Sequence, residues 1–264
     1  MATVAIIDGD EFAYKAAASS ELEVDWGGGF FTLSADMQFA AGLMESHVRE
    51  AAAAVKADSI VLAFTDPLGG NWRRMIYNQY KMNRNGKRKP TGYPSLVRAV
   101  GQKFAIMHRP GLEGDDIIGM LGTHDPEMSK ELGISKSDTT VMISSDKDMR
   151  GVPGYLYNPS KPEEGQYLIS EDMADHFHLL QALMGDVSDG YPGCPGIGPK
   201  TAAKLLSGKG PEEYWPIVVD TYNKAGFSEE YALVQARVAH ILRAGEYIGT
   251  GRVRYWNPKE NHAS

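Results

Sequence analysis

The sequence predicts an α/β fold whose central sheet is mostly parallel and flanked by helices. Three continuous apolar, β-branched runs predict buried strands over Thr3–Ile7, Ser59–Thr65 and Thr139–Ser145, because strands covered on both faces of a parallel sheet lack polar alternation. An aspartate stands at the end of each run: Asp8, Asp66 and Asp146. A single aspartate in this position is more often a turn or capping residue. Since ligands of open α/β sheets bind outside the carboxyl ends of the strands, the three together predict a functional site at that edge.

Length and composition fit a globular protein in a reducing compartment. A chain of 264 residues, 42% hydrophobic and 23% charged, can form one large domain, or a domain with a smaller module. Its apolar runs are shorter than the ~20 residues that a bilayer requires, and its first residues lack a signal-peptide pattern. The single cysteine, Cys194, excludes an internal disulfide. We therefore expect a cytoplasmic protein that binds no membrane.

Helical stretches and a further group of acids lie between the strands. Ala-rich segments predict helices over Phe12–Ser20 and Met37–Lys56, separated by a glycine-containing loop, and Phe104–Met107 predicts a short strand. A later apolar helix opens with three acids, Glu113, Asp115 and Asp116. Acids in a first turn commonly complement the helix dipole and do no more. Three acids directed at one sheet edge would repel one another unless cations neutralised them, which favours a metal site.

The segment 71–100 is basic and aromatic. Between positions 73 and 89 it has no acid and seven basic residues: Arg73, Arg74, Lys81, Arg84, Lys87, Arg88 and Lys89. Such a run is usually a solvated surface, but basic residues interleaved with aromatic ones also neutralise phosphates and stack on bases. We interpret the segment as a mobile, partly helical loop that becomes ordered on its substrate. The net charge of −7 does not exclude a polyanionic substrate, because cations bound at the acids would cancel much of their charge.

The stretch 185–203 combines two acids with a glycine turn and a lysine. Asp186 and Asp189 are three residues apart, a spacing that puts two carboxylates on one face of a helical turn, where they could bind a hard metal ion. Gly196 and Gly198 predict a tight turn, because glycine allows positive φ and close approach of the backbone, and a helix follows over Lys200–Leu206. Bare N–H groups at a helix start, with a lysine nearby, form a phosphate site. The glycines alone would indicate only a surface turn.

In this order, the motifs resemble those of the 5′-nuclease superfamily, which includes flap endonucleases, the 5′-nuclease domain of bacterial DNA polymerase I and phage 5′→3′ exonucleases. The similar motifs are Asp8-Gly9, Ala63–Asp66, the arch sequence Tyr80–Arg84, Glu113-Gly114-Asp115-Asp116 for E-A-D-D, Ser145–Asp148 for D-x-D, and Gly185–Ala202. The short arch, Asn71-Trp72-Arg73 and a closing segment, Gln235–Pro258, look most like the exonucleases of short-tailed phages. The resemblance implies a PIN-like nuclease core over 1–184, with an arch at about 71–100. It implies a helix–three-turn–helix DNA-binding module and a closing C-terminal helix over 185–264.

The resemblance also implies a site chemistry, which is phosphodiester hydrolysis with two Mg²⁺ or Mn²⁺ ions. The first ion would be held by Asp8, Asp66, Glu113, Asp115, Asp116 and Asp146, and the second by Asp148, Asp186 and Asp189, with shared ligands leaving this division open. Lys81 and Arg84 match catalytic arch residues; because their segment lacks acids, we expect the charge of Lys81 to be free for the substrate. The implied DNA contacts are Tyr14, Arg73, Tyr80, Lys87, Arg88, Lys89, Gly196, Gly198, Lys200 and Thr201. Tyr14 would stack on a terminal base, or else be a half-buried helix tyrosine, and K⁺ would bind at the helix–three-turn–helix.

The function implied by the resemblance is that of a 5′→3′ exodeoxyribonuclease or 5′-flap endonuclease in DNA replication, primer removal or recombination. Its location would be the cytoplasm of a bacterium or a phage-infected host. Its partner would be duplex DNA with a 5′ end, nick or flap, or an RNA–DNA hybrid, and the protein would be a monomer. Two other interpretations are a DNA-binding homologue without hydrolytic activity and a PIN-type ribonuclease. The first is disfavoured because all nine acidic positions hold acids and Lys81 is present. The arch and the DNA-binding module argue against the second.

Overall fold

A computed structural model describes residues 1–84 and 86–258 of the chain. The described strands are Thr3–Asp8 (β1), Glu21–Asp25 (β2), Phe31–Ala35 (β3), Ser59–Ala63 (β4), Ala105–Met107 (β5), Thr139–Ile143 (β6), Gly154–Tyr157 (β7), Gln166–Ile169 (β8), Tyr247–Gly249 (β9) and Arg252–Val253 (β10). The described α-helices are Gly9–Ser19 (α1), Met37–Ala54 (α2), Arg73–Ile76 (α3), Tyr93–Val100 (α4), Gly114–Gly122 (α5), Pro126–Leu132 (α6), Glu171–Met184 (α7), Pro199–Leu206 (α8), Pro211–Lys224 (α9) and Glu229–Ala239 (α10).

Six strands form the central sheet, in the order β5-β4-β1-β6-β7-β8. The first five strands of this order run parallel to one another, and β8 joins β7 as an antiparallel edge. Because β4, β1 and β6 are parallel neighbours, their carboxyl ends meet at one edge of the sheet. The predicted α/β class and mostly parallel sheet are therefore confirmed, and each predicted strand ends near its expected boundary.

Both faces of the sheet are buried, which explains the continuous apolar runs. Along β1, Val4 and Ile6 face a cluster with α5 and α6, whereas Ala5 and Ile7 face α1, α2 and α4 on the other side. The start of α1 approaches β4 so closely that a Cβ on Gly9 would lie 2.6 Å from the Phe64 ring. The glycine after Asp8 is therefore a packing requirement that allows α1 to begin directly at the sheet edge.

A second core joins the helices near the end of the described chain. Helices α7, α8, α9 and α10 enclose it with residues such as Leu183, Tyr222 and Ala236, and Trp256 returns to pack there. Ile241, Leu242 and Val253 instead pack against the sheet, so the chain crosses back from the helical part to the nuclease core. The division at residue 184 stays a proposal, and residues 259–264 of its second part lie outside the described ranges. Among the described helices, none is long and apolar enough to cross a membrane.

Two regions differ from the sequence expectations. The predicted loop around the three glycines is a β-hairpin, because β2 and β3 pair in register from Glu21 with Ala35 to Asp25 with Phe31. The segment 71–100 contains α3, a short 3₁₀ turn at Met82–Arg84 and α4, which agrees with a partly helical loop. That it moves and becomes ordered on a substrate stays a prediction.

Candidate active site

Carboxylates gather where β1, α5 and the loop after β6 meet. Asp8 ends β1 and caps α1, accepting from the amide of Glu11 at 2.9 Å and from the Ser144 hydroxyl at 3.1 Å. Burial raises the pKa of Asp8 to about 7. Burial also raises the pKa of Asp115 well above its ordinary range, and the nearby charges of Asp8 and Asp146 raise it further. Three carboxylates from different elements therefore lie close enough to repel one another.

A second group of acids lies on the D-x-D turn and the loop after α7. Asp148 accepts from Gln181 Nε2 at 2.6 Å, and burial, followed by the charge of Asp146, raises its pKa to about 7. Asp186 is paired with Lys147 Nζ at 2.7 Å and accepts from the amide and hydroxyl of Ser188 at 2.7 and 2.6 Å. Burial opposes ionisation of Asp186, but these partners outweigh it and lower the pKa.

Lys81 links the two groups. Its Nζ lies 2.5 Å from Glu113 Oε1 and 3.5 Å from Asp189 Oδ2, and its amide donates to the Asp189 carbonyl at 2.8 Å. Burial opposes the charge of Glu113, yet Lys81 and Arg73 lower the pKa of Glu113 to about 2. The expectation that the Lys81 charge is free was wrong, because its acidic partners come from distant parts of the chain. Arg84 is likewise bound to Asp189 at 2.8 Å.

Asp186 and Asp189 do not share a helix face, contrary to the sequence prediction. Helix α7 ends at Met184, and Asp186 starts a tight turn in which its carbonyl accepts from the amides of Gly190 and Tyr191. The turn directs Asp186 to Lys147, whereas Asp189 faces Lys81 and Arg84. The three-residue spacing thus brings both acids to the site through a loop.

Arg73 and Asp116 form a buried ion pair behind the site. The Arg73 guanidinium donates to both oxygens of Asp116 at 2.9 and 2.8 Å, and to Glu113 Oε2 at 3.1 Å. It also donates to the carbonyls of Val238 and His240 at 3.0 and 2.6 Å. Asp116 is fully buried and Arg73 is 2% exposed. The structure therefore places Arg73 in a supporting position inside the protein, and this differs from the predicted DNA contact.

Tyr80 is buried too, and its hydroxyl lies between two carboxylates. It is 2.8 Å from Glu113 Oε2 and 2.9 Å from Asp189 Oδ2. Burial raises the pKa of Tyr80 well above its ordinary range, so the hydroxyl remains a proton donor. Like Arg73, Tyr80 orients acids here and offers little surface to DNA.

Asp66 and Asp116 are not brought into either of these two groups of acids. Asp66 accepts from the amide of Leu68 at 2.9 Å and from that of Gly111 at 2.8 Å, so it joins the loop after β4 to the loop before α5. Asp116 has its oxygens filled by Arg73, by Trp72 Nε1 at 3.1 Å and by the Leu242 amide at 3.3 Å. Their predicted role as metal ligands would require these contacts to be exchanged.

Sequence reasoning missed two acids at the same edge. Asp10 accepts from the Thr65 amide at 2.8 Å and from the Tyr93 hydroxyl, and Glu11 accepts from the Ser145 amide at 2.9 Å and from its hydroxyl. Both acids lie in the first turn of α1, where acids commonly do no more than complement the helix dipole. Their hydrogen bonds connect α1 to the ends of β4 and β6. Because these contacts depend on the order of the strands in the sheet, no local sequence pattern indicates them.

The acids fit hard divalent cations chemically but do not form a finished ligand sphere. Among residues 1–84 and 86–258, no group of three or more His, Cys, Asp or Glu side chains is arranged as a metal centre. A small polar cleft is nevertheless lined by Glu113, Asp115, Asp148 and Asp189. Burial first, and then the charges of neighbouring acids, raise the pKa values of Asp8, Asp115 and Asp148, so a bound cation would relieve unfavourable charge here. Oxygen-only ligands of this kind suit Mg²⁺ or Mn²⁺.

The predicted phosphate turn lies at the surface beside α8. Gly196 has a φ of +80°, which uses the freedom of glycine, whereas Gly198 has a φ of −92° and caps α8. Pro199 is the first helical residue, and Lys200 and Thr201 are exposed with it. The turn therefore leaves amide groups and a lysine accessible to an anion.

The remaining predicted DNA contacts lie within the segment 71–100, except Tyr14, which lies on α1. Tyr14 is 50% exposed on α1, which leaves its ring available for stacking. Arg88 is engaged with Glu21 at 2.7 and 2.5 Å, and the Lys89 ammonium lies 4.2 Å from the centre of the Tyr93 ring. Lys87 is exposed. Tyr14 and Lys87 thus keep an accessible surface, whereas Arg88 would have to exchange partners.

Comparison with known proteins identifies the class to which this fold and site belong. A family model described as 5′–3′ exonuclease, N-terminal resolvase-like domain, matches residues 3–153, and the chain therefore belongs to the 5′–3′ exonuclease family of nucleases. The family expected from the motifs is confirmed. An exonuclease of Escherichia phage T7 is 30% identical over 97% of this chain and 93% of the phage protein. An exodeoxyribonuclease of Enterobacteria phage T3 is 29% identical over the same shares.

Solved structures confirm the fold. The T5 D15 protein, co-crystallised with metal ions, superimposes with a TM-score of 0.64 at 16% identity, over 90% of this chain and 89% of that protein. A T5 D15 flap endonuclease complex with DNA and metal ions gives a TM-score of 0.59 at 16% identity, over 90% and 88% of the two chains. The chain thus shares its fold with these T5 proteins.

Proposed function

We propose that the protein is a metal-dependent 5′→3′ exodeoxyribonuclease and structure-specific 5′-flap endonuclease that hydrolyses phosphodiesters in DNA. The observation that carries this proposal is the cleft at the sheet edge, where acids of three separate elements face Lys81 and Tyr80. Family membership and the DNA complex of the T5 relative support DNA as the substrate. The substrate class is duplex DNA with a 5′ end, nick or flap, and extends to RNA–DNA hybrids.

Two Mg²⁺ or Mn²⁺ ions are the proposed cofactors. Asp8, Asp115 and Asp146, with Glu113 beside them, would hold the first, and Asp148, Asp186 and Asp189 the second. Divalent ions bound at such a pair of positions lower the pKa of a water and stabilise a leaving oxygen. Asp66 and Asp116 would act from behind, since both already have partners that fix loops and helices around the cleft.

Lys81 and Arg84 are the proposed catalytic cations of the chain. Both end beside Asp189, and a phosphate that enters the cleft would compete with these carboxylates for their charge. Lys81 has a φ of +54°, a conformation that residues other than glycine seldom adopt. The hydrogen bond from its backbone N–H to the Asp189 carbonyl keeps it near the acids. Tyr80 and Arg73 hold Glu113 in place while Lys81 changes partner.

The exposed turn before α8 is the proposed duplex clamp. Gly196, Gly198, Lys200 and Thr201 would bind a backbone phosphate, with K⁺ held by nearby carbonyl groups, and Tyr14 would stack on a terminal base. Lys87, Arg88 and Lys89 would add phosphate contacts that carry no sequence information. We further propose that the enzyme is a monomer and acts in the cytoplasm in replication, primer removal or recombination.

Cleavage of an end-labelled nicked duplex, with and without Mg²⁺, tests the proposal. The parent protein should release short products from the 5′ end only with the metal ion, and Asp146→Asn should abolish release while preserving or tightening DNA binding, because an acid near phosphate repels it until metal arrives. Substantial Mg²⁺-dependent cleavage by Asp146→Asn would contradict the role given to this acid. Cleavage of RNA alone would indicate a ribonuclease.

A further inference from the structure

Lys147 places a positive charge among the acids of the proposed second metal position. Its Nζ lies 2.7 Å from Asp186 Oδ2 and 4.0 Å from Asp148 Oδ1. The other oxygen of Asp186 already accepts from the amide and the hydroxyl of Ser188. Lys147 therefore holds the oxygen that those bonds leave available for a cation.

Lys147 differs from Lys81 in its freedom to leave. The Lys81 side chain is 12% exposed and enclosed by Glu113 and Asp189, whereas that of Lys147 is 57% exposed. Lys147 begins the 3₁₀ turn Lys147–Gly151, whose buried members are Met149 and Gly151. Its four-carbon stem can therefore rotate into solvent without disturbing the core.

We propose that Lys147 is the resident counterion of the second metal position, which binds Asp186 and faces Asp148 until a divalent cation displaces it. The inference rests on the proposed function. An ammonium group and a divalent cation cannot share the same carboxylate oxygens at close range, because like charges repel strongly where solvent is partly excluded. Cation entry at this position thus requires the Lys147–Asp186 pair to break, which weakens binding. The charge of Asp186 stays balanced by Lys147 when the cation is absent.

Titration of the DNA-free protein with Mn²⁺, followed by calorimetry and by the EPR signal of free Mn²⁺, tests this role. Lys147→Met keeps the length of the side chain and removes the charge. Lys161→Met is the matched control, because Lys161 is 56% exposed and pairs at 3.0 Å with Glu164, an acid outside the proposed metal positions. We expect Lys147→Met to bind the weaker of two Mn²⁺ ions about tenfold more tightly, the equivalent of one charge-assisted contact that no longer has to be broken. The control should match the parent.

A second readout is the thermal unfolding midpoint in EDTA and in saturating Mn²⁺. Lys147→Met should unfold at a lower temperature than the parent in EDTA, because Asp186 loses its cation, and the difference should disappear in Mn²⁺. Unchanged or weaker Mn²⁺ binding by Lys147→Met would overturn the proposal, and so would a defect confined to binding of nicked duplex. If the parent itself bound no Mn²⁺, the proposed function would fail, which is a separate and distinguishable result.

Discussion

Replacing Arg73 with methionine should test whether the ion pair behind the site holds it together. The substitution removes the cation from Asp116, which is fully buried, and removes donors from Glu113 and from two carbonyl groups. Breaking a buried pair by deleting one partner costs about 3–5 kcal/mol, because the other charge is left uncompensated. Since a typical protein has a total stability of about 5–15 kcal/mol, Arg73→Met should lose a large share of its free energy of unfolding. Arg73→Lys keeps the charge but loses the two-pronged geometry and should cost about 1–3 kcal/mol.

Urea unfolding in EDTA, followed by tryptophan fluorescence, measures these differences. Arg49→Met is the control for the substitution itself, since Arg49 is 58% exposed and pairs with Glu45 at 2.9 Å, and such a pair contributes at most about 1 kcal/mol. The double variant Arg73→Met/Asp116→Leu removes both charges and should recover much of the lost stability. If Arg73→Met destabilised the protein no more than Arg49→Met, or if the double variant were the least stable, the reasoning about this pair would be refuted.

Three further predictions concern catalysis, binding and pH. Lys81→Ala should slow single-turnover cleavage by about 10²–10³ with little change in duplex affinity. Lys87→Ala should cause only a modest, salt-sensitive loss of binding. Equally small effects of both substitutions would contradict the catalytic role of Lys81. Lys200→Ala should weaken binding to all duplex sequences alike and reduce the salt slope by about one phosphate contact, with Lys204→Ala, exposed on the same helix, as the comparison in a fluorescence-anisotropy titration. Burial raises the pKa of Asp148 from an ordinary 3.8 to about 7, so the folded metal-free protein binds a proton at this carboxylate more tightly than the unfolded chain does. The stability that this protonation contributes is lost as the pH rises from about 4 to about 7. The melting temperature of Asp148→Asn in EDTA, relative to that of the parent, should therefore increase as the pH rises from about 5 to 8. A difference that stays constant over this range would contradict the pKa assignment.

The strands and the acids at their ends could be predicted because local sequence determines both. A run such as Thr139–Ile143 can be buried on two faces only inside a parallel sheet, and sheet geometry then brings its terminal acid to the ligand-binding edge. The family motifs added the order of the acids. The overall arrangement of the candidate site was thus available from the sequence.

The partners of each charge could not be predicted, because they lie far away in the chain. Segment 71–100 contains no acid of its own, yet Lys81, Arg84 and Arg88 meet Glu113, Asp189 and Glu21. A count of local charge therefore overestimates the basic surface. The β2–β3 hairpin did leave a signal that was overlooked, since Leu22 and Val24 alternate with acids before a run of glycines, a pattern typical of a hairpin.

The contacts of Arg73 and Asp116 with Val238, His240 and Leu242 also bear on how much of the chain must be synthesised before the site can form. A nascent chain that had reached Ala203 would already contain all nine predicted metal-binding acids. It would still lack the carbonyl and amide groups that complete the ion pair beneath them. Such a fragment would have to keep a charged pair without its hydrogen bonds, which disfavours the folded cleft. We therefore expect a chain that ends at Ala203 to carry all nine predicted acids without the folded cleft that would hold them in place.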